Sequence, residues 1–419
     1  MTTAQGESTM DTQPPARGLS RNVWAATATS FLTDVSSEMV SNVLPLFLAN
    51  VLGASTSAIG LIEGVAETTA SLLKMVSGWL SDRLGRRKEL AVMGYALSAC
   101  AKPFLYIATT WGAVLGVRFA DRVGKGLRTA PRDALVADST DPRKRGLAFG
   151  LHRAGDTGGA VIGIGLAILI LRSVEAGSGV LDRPAFQSLV LFSLIPAFLA
   201  VVVMALGVRE TRRAARAAGT SAAGGVRSLG RKFLPFVGIM TLFTLGNSSD
   251  AFLILRAQDV GLSVSSVLIM MLTFNLVYAA VATPAGALSD RFGRKRMLLL
   301  GWSIYVLTYL GFSLATAGWH AWLLMLVYGA YYGLSEGAAK ALVADLVPAE
   351  ARGTAYGVFN AAIGLTALPA SLAAGILWQG IGGWGGWGAS APFAFGAGMA
   401  LLAAILLSML PLQARRQEV

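Results

Sequence analysis

The stretch GWLSDRLGRRKEL at residues 78–90 recurs as GALSDRFGRKRML at 286–298, an offset of 208 residues. Two further pairs lie 207 residues apart: ALVAD at 134–138 and 341–345, and RGLAFG at 145–150 with RGTAYG at 352–357. Chance similarities would fall at scattered offsets, so three pairs at nearly one offset predict an internal duplication. The two copies are therefore expected to form the same structure twice.

The composition indicates a membrane protein. Of 419 residues, 54% are hydrophobic and 14% charged, and the mean hydropathy is +0.60, whereas soluble domains are about 25% charged. Apolar runs recur that are long enough to cross ~30 Å of hydrocarbon as helices. We predict an all-α polytopic membrane protein with 12 transmembrane helices, at 22–50, 57–80, 89–109, 111–137, 147–171, 186–206, 233–256, 264–287, 297–316, 321–346, 354–377 and 391–412.

The loops between these spans alternate in charge. Alternate loops hold clusters of Lys and Arg, as at 83–88, 143–145 and 291–296, while the intervening loops hold almost none. Because positive loops stay on the cytoplasmic side, both termini are expected in the cytoplasm. This pattern also accounts for most of the net charge of +12, so no nucleic-acid partner is needed.

The duplication sets the expected domain organisation. We predict a cytoplasmic tail at 1–21, a six-helix half at 22–206, a cytoplasmic linker at 207–232, a second six-helix half at 233–412 and a tail at 413–419. Corresponding motifs fall on the same side of the membrane, so the repeats are parallel. Parallel repeats place a binding site near the middle of the membrane between two rocking halves.

The repeated G-x-x-x-D-R-x-G-R-[RK] pattern resembles the signature loop of the major facilitator superfamily, and the resemblance covers about residues 20–412. It implies a transporter of the bacterial proton-coupled efflux type, located in the inner membrane of a bacterium, which we expect to be a monomer. In that family the loop helps to hold the cytoplasmic gate. The role is carried over to Gly78, Asp82, Arg83, Gly85, Arg86 and Arg87, and to Gly286, Asp290, Arg291, Gly293, Arg294 and Lys295.

The fourth predicted span carries a charged stripe. RFADRVGKGLRTAPRDAL at 118–135 holds seven charged residues, and at about 100° per residue they fall within an arc of roughly 140°. A charge at the centre of a bilayer costs ~2.5–3.5 kcal/mol, so the stripe must face protein or water. Its lower part is expected at the cytoplasmic gate beside the fifth span: Arg128, Arg132, Asp133, His152, Arg153 and Asp156.

Carboxylates on the first two spans are candidates for proton coupling. Asp34 and Glu38 lie one turn apart in the middle of the first span. A carboxyl group partly removed from water can load and release protons near neutral pH. With the upper part of the stripe, the coupling candidates are Asp34, Glu38, Glu63, Glu67, Arg118, Asp121, Arg122 and Lys125. The alternative is that these charges form structural salt bridges of the gate.

Polar and aromatic residues of the second half predict a substrate cavity. GNSSDAF of the seventh span echoes DVSSEM of the first, which places Asn247 and Asp250 opposite Asp34 and Glu38. An acidic cavity favours a cationic substrate, and aromatic rings can contact organic cations. The other candidates are Tyr278, Tyr331, Glu336 and Lys340. Plain helix packing by the same polar and aromatic residues is the alternative.

These features predict a secondary active transporter that exports an organic cation or a hydrophobic drug-like compound in exchange for protons. The proton gradient is the expected energy source, and no cofactor is expected. Bacterial permeases of the family that are linked to metal resistance suggest, as an alternative, efflux of nickel, cobalt or iron, with His152 and Asp156 as ligands. Uptake of a small solute by proton symport is a further alternative. No H-E-x-x-H or suitable G-x-S-x-G motif indicates an enzyme.

Overall fold

The structure is a computed structural model that describes residues 19–141, 144–174, 181–210, 229–348 and 351–411. Most of the predicted tails at 1–21 and 413–419, and most of the predicted linker at 207–232, lie outside the described residues.

Twelve long helical units, α1 to α12, make up the described part of the chain. They are α1 (Arg21–Ser41, continued by Leu44–Leu46 and a π-helical turn at Phe47–Val51), α2 (Thr56–Leu84), α3 (Arg87–Ile107), α4 (Trp111–Asp138), α5 (Arg145–Val174), α6 (Arg183–Gly207), α7 (Phe233–Gly246 and Ala251–Asp259), α8 (Val264–Phe292), α9 (Arg294–Leu314), α10 (Gly318–Leu346), α11 (Arg352–Gln379) and α12 (Ala391–Met409). This confirms the predicted all-α fold. The seventh span differs from the continuous helix predicted for it, because α7 is broken at 247–250.

Eight of these helices, within the described ranges, are long and apolar enough to cross a membrane by themselves: α3, α5, α6, α7, α8, α9, α11 and α12. The other four are α1, α2, α4 and α10. Charges interrupt α2 and α4 most strongly, since α4 alone carries the seven charged residues of 118–135. Helices with such polar faces need a polar or protein environment inside the bundle.

The helices form two six-helix halves that pack in the same way. In the first half, α1 packs against α5 and α6, and α4 packs against α2 and α3. In the second half, α7 packs against α11 and α12, and α10 packs against α8 and α9. Each contact therefore has its counterpart six helices later, as the duplicated sequence requires.

Local signals mark the ends of several helices. The side chains of Ser20, Ser55 and Thr110 each accept a hydrogen bond from a backbone N–H in the first turn of α1, α2 and α4, which satisfies a donor that has no partner inside the helix. Gly85 ends α2 with a φ of 64°, a left-handed conformation that glycine adopts at little cost. The helix α4 continues through Pro131.

The halves meet mainly along α2 and α11. The Thr56 hydroxyl donates to the Gly375 carbonyl at 2.8 Å, and the Thr68 hydroxyl donates to the Gly364 carbonyl at 2.6 Å. A Cβ atom at Gly375 would overlap the backbone of Thr56. Glycine at this position therefore permits the close approach of the two helices.

The two ends of the molecule differ in packing. The end of the molecule that holds the loops between α2 and α3 and between α8 and α9 is called the basic end. At the opposite end, residues 42–48 of α1 and 251–257 of α7 are buried, and these two segments contact each other. Towards the basic end, Lys74, Lys125 and Lys340 are exposed. Since such charges avoid hydrocarbon, they indicate a water-filled opening on that side.

Candidate functional site

A cavity of about 510 Å³ lies between the two halves. In the first half, α1, α2 and α4 form its wall, with Glu38, Ser41, Asn42, Pro45, Glu63, Glu67, Ser71, Arg118 and Arg122. The second half closes it with Thr244, Asn247, Ser248, Ser249, Asp250, Ala251, Ile254, Met271, Phe274, Asn275, Tyr332, Ile363, Gly364, Ala367 and Ser371. The volume suits a small organic molecule.

The wall of the first half contains a buried ion pair. Nη2 of Arg118 lies 2.8 Å from Oε1 and 2.9 Å from Oε2 of Glu63, and each side chain is only 8% exposed. Such a short, charge-assisted pair holds α2 and α4 in a fixed relation. It is therefore part of the rigid wall of the cavity.

A looser pair lies one helical turn further along the same two helices. Nη1 of Arg122 lies 3.8 Å from Oε1 of Glu67, and the Glu67 side chain is 49% exposed. On α1, Glu38 accepts a hydrogen bond from the amide of Asn42 at 2.8 Å. The carboxylates of Glu38 and Glu67 therefore remain available to an occupant of the cavity.

The wall of the second half is built around the break in α7. The Tyr305 hydroxyl donates to the Gly246 carbonyl at 3.0 Å, and the Ser249 N–H donates to the Ser371 hydroxyl at 3.2 Å. These bonds satisfy backbone groups that a continuous helix would have paired, a requirement inside a membrane. The Tyr328 hydroxyl donates to Asp250 at 2.9 Å and thereby fixes the carboxylate that follows the break.

The charges on the cavity wall do not balance. Four carboxylates, from Glu38, Glu63, Glu67 and Asp250, face two guanidinium groups, from Arg118 and Arg122. With every group ionised, the lining carries two net negative charges. The cavity therefore attracts positive charge.

The other predicted coupling residues lie outside the cavity lining. Asp34 lies against α5, where a Cβ at Gly159 would come within 3.1 Å of the Asp34 Cβ. Asp121 lines a much smaller cavity between α1, α3 and α4, and Lys125 is exposed on α4 towards the basic end. The structure thus brings Glu38, Glu63, Glu67, Arg118 and Arg122 together, and places Asp34, Asp121 and Lys125 around them.

Among the predicted substrate-cavity residues, Asn247 and Asp250 line the cavity. Tyr331 does not, because it packs within the buried aromatic cluster with Phe243 and Tyr305. Its neighbour Tyr332 lines the cavity instead. The two side chains differ in this way because consecutive residues of a helix point about 100° apart.

The remaining candidates form a bridge between the halves. Arg153 of α5 donates to the hydroxyl of Tyr278 on α8 at 2.5 Å, and this hydroxyl donates to Glu336 of α10 at 2.5 Å. Lys340 donates to the same carboxylate at 2.7 Å. Tyr278 and Glu336 lie one turn from the cavity residues Phe274 and Tyr332 towards the basic end, so this bridge spans the opening of the cavity.

The repeated loops form matching ion-pair networks. Arg87, the first residue of α3, contacts Asp138 of α4 and lies 2.7 Å from Asp82 of α2. In the second half, Arg294 of α9 lies 2.5 Å from Asp345 of α10. The shared geometry thus pairs Arg87 with Arg294, an offset of 207. Arg87, and not the Arg86 that lies 208 residues before Arg294, is thus the structural counterpart, because the first loop is one residue longer.

The other predicted gate residues of these loops are peripheral. Arg83 stacks on Trp79 at 5.3 Å, and Arg86 forms an exposed ion pair with Glu89 at 3.4 Å. Lys295 donates to carbonyls at the end of α12, namely those of Ser408 and Leu410. Gly78, Gly286 and Arg291 lie at the basic ends of α2 and α8, Gly85 and Gly293 adopt positive φ angles, and the side chain of Asp290 lies outside the described residues.

The lower part of the charged stripe packs inside the first half. Arg128 donates to Ser98 and stacks on Tyr95 at 4.8 Å. Arg132 donates to Ser30 at 2.8 Å and pairs with the adjacent Asp133 at 2.7 Å.

Two predicted gate residues of α5 form a pair of their own. Nε2 of His152 lies 3.9 Å from Oδ1 of Asp156. Among the predicted gate residues with described side chains, only Arg153 has a described hydrogen bond or ion pair to the other half.

A comparison with protein families agrees with this architecture. The Major Facilitator Superfamily model matches residues 26–255 and again residues 235–418. The chain belongs to the major facilitator superfamily. It is therefore a multi-pass membrane transporter of a small molecule, and not an enzyme.

Relatives and solved structures of this superfamily cover nearly the whole chain. An uncharacterized MFS-type transporter of Methanocaldococcus jannaschii is 36% identical over 87% of this chain and 90% of its own length. The class C tetracycline resistance protein of Escherichia coli is 26% identical over 80% of this chain and 84% of its own. The crystal structure of the nucleoside transporter NupG superposes with a TM-score of 0.76 at 13% identity, covering 93% of this chain and all (100%) of that one.

Proposed function

We propose that this transporter exports organic cations from the cytoplasm in exchange for protons. The observation that carries the proposal is the cavity lining, where four carboxylates face two guanidinium groups beside the rings of Phe274 and Tyr332. Carboxylates and aromatic faces together attract an organic cation. By the positive-inside rule, the basic end, where the cavity opens, lies in the cytoplasm.

Proton coupling is proposed at the carboxylates of α1. The described hydrogen-bond partner of the Glu38 carboxylate is a neutral amide, so it has no fixed cation among the described ion pairs. Asp34 lies one turn nearer the basic end. Either a proton or a cationic substrate can neutralise these two carboxylates. Because the proton and the substrate compete for the same groups, binding of one releases the other, and the transporter exchanges them. A cation released on the outer side is then replaced by a proton that returns inwards.

Two described contacts between the halves contain hydrogen bonds, and we propose that the halves move against each other at these contacts during alternating access. The α2–α11 contact runs along most of both helices, from Thr56 and Gly375 to Thr68 and Gly364. The Arg153–Tyr278 bond joins α5 to α8 on the basic side of the cavity. Breaking or tightening this bond while α2 slides on α11 would change which end of the cavity is open.

The alternatives receive less support. His152 and Asp156 lie outside the lining of the cavity, and the described residues contain no group of three or more His, Cys, Asp and Glu side chains suited to a metal ion. The relative that is named for tetracycline resistance supports an organic substrate. Proton symport would use the same groups in the opposite direction of substrate movement.

A proteoliposome experiment tests the proposal. An imposed pH gradient is combined with a panel of cationic dyes and with Ni²⁺, Co²⁺ and Fe²⁺. We expect gradient-driven transport of a dye, abolished by Asp34→Asn or Glu38→Gln in protein that still runs as a folded monodisperse peak. Transport of a metal ion alone, or unchanged dye transport in both variants, would reject the proposed substrate or the proposed coupling site.

A further inference from the structure

The break in α7 leaves one polar atom without a partner. Oδ1 of Asn247 is buried and has no hydrogen bond among the described residues, although the residue lines the cavity. Three nearby groups do have partners: Tyr305 donates to the Gly246 carbonyl, the Ser249 N–H donates to Ser371, and Tyr328 donates to the Asp250 carboxylate. A buried acceptor that is left unpaired is unfavourable, so a rotation of the Asn247 side chain that brings this oxygen to an N–H or O–H group of an occupant would be favoured.

A carboxylate on the far side of the break lines the same cavity. Asp250 follows Asn247 by three residues at the start of the second part of α7, and the described residues form no ion pair with it. The carboxylate is held by the Tyr328 hydroxyl, a neutral donor. The acceptor and the carboxylate together fit a cation that also donates a hydrogen bond.

Aromatic rings complete the site. Phe274 and Tyr332 line the same cavity with centroids 5.5 Å apart and planes at 87°. Rings attract methylated and unmethylated ammonium groups alike, because they respond to charge. Discrimination between such groups must therefore come from hydrogen-bond acceptors. Among the side-chain acceptors of the described cavity lining, Oδ1 of Asn247 is the one that is both buried and unpaired.

We infer that Asn247 makes the transporter selective for protonated amines that carry an N–H group over quaternary ammonium ions. The inference rests on the proposed transport of organic cations and specifies their class. A protonated amine pairs its charge with Asp250 and donates to Oδ1 of Asn247. A quaternary ion brings the charge but leaves the acceptor unpaired, so we expect it to be disfavoured by about 5- to 150-fold.

The test compares one tertiary-amine dye with its N-methylated quaternary derivative. Transport of both is measured in proteoliposomes under the same pH gradient, after subtraction of the leak into protein-free liposomes. We expect wild-type kcat/KM to favour the tertiary amine by at least about fivefold. Asn247→Leu should reduce this ratio towards one by lowering transport of the amine alone, and Asn247→Asp, which keeps an acceptor, should retain the preference.

Asn275→Leu is the matched control. Asn275 lines the same cavity, but its side-chain oxygen is not among the buried unpaired atoms of the described residues, and its NH₂ group donates to the Met271 carbonyl at 2.9 Å. An N–H group of an occupant relieves no buried unpaired acceptor there, so the ratio should stay that of the wild type. Equal transport of the two dyes by wild type, or an unchanged ratio in Asn247→Leu, overturns the inference and leaves organic-cation transport standing. Transport of neither dye overturns the proposed function and the inference with it.

Discussion

Replacing Glu63 by Gln should destabilise the protein strongly. The carboxylate and its partner Arg118 are each 8% exposed and meet at 2.8 Å. The amide that replaces the carboxylate is neutral, so the variant leaves the largely buried guanidinium without its counter-charge. Breaking a buried pair in this way costs about 3–5 kcal/mol.

Glu67→Gln is the matched control, one turn along the same helix. Its carboxylate is 49% exposed and lies 3.8 Å from Arg122. A solvated and loosely aligned pair contributes about 0–1 kcal/mol. The two variants should therefore differ by about 2–5 kcal/mol, although the substitution is chemically the same.

Thermal unfolding of the purified protein in detergent, followed by intrinsic fluorescence, measures this difference as a shift in Tm. A double variant, Glu63→Gln with Arg118→Gln, should recover part of the loss because no charge is left unpaired. Equal Tm values for Glu63→Gln and Glu67→Gln would refute the reasoning, and so would a double variant less stable than either single one.

Three further variants test the contacts that hold the halves and their gate. Arg87→Ala should abolish transport, because Arg87 joins carboxylates on α2 and α4, while Arg86→Ala should retain it; equal activities would contradict the gate assignment. Gly375→Val should block transport, because its side chain would clash with the α2 backbone. Gly357→Val should be active, because a Cβ atom at Gly357 would lie 3.9 Å from the nearest heavy atom. An active Gly375→Val variant would argue against a close approach of α2 and α11 at this position. Tyr278→Phe removes the hydroxyl of α8 that accepts from Arg153 of α5 and donates to Glu336 of α10. Distances between spin labels on α5 and α8 should therefore lengthen at the basic end. Unchanged distances would show that Tyr278 does not bridge the two halves.

The extent of most spans follows from the sequence, as α4 illustrates. Its predicted range of 111–137 differs by one residue from the observed Trp111–Asp138. The helix begins where Thr110 caps it, and its charges are tolerated because neighbouring helices supply partners such as Glu63. Local signals and periodicity decide such boundaries.

The break in α7 could not be predicted from the sequence with the same reasoning. The predicted span 233–256 is continuous, and its polar GNSSD segment indicates a cavity without indicating a break. The break is stable because Tyr305 and Ser371, distant in sequence, satisfy the freed backbone groups. Tertiary partners of this kind leave no local pattern.

The site residues divide in a similar way. The charge pattern of the sequence indicated Glu38 and Asp250 as site residues, and both line the cavity. The ring of Tyr332 was missed in favour of Tyr331, because a one-residue choice on a helix needs the orientation of the whole helix. The register of the gate loops likewise depends on one extra residue in the first loop, which the ion pairs of Arg87 and Arg294 reveal.

Proton movement during substrate flux tests the central claim most directly. A pH-sensitive dye is trapped inside proteoliposomes without an imposed gradient, and a transported organic amine is added outside. Exchange predicts that the interior becomes more alkaline as the amine enters, beyond the change in protein-free liposomes, and that Glu38→Gln loses this excess. Amine entry with no excess change in pH, or with acidification of the interior, would contradict proton-coupled exchange.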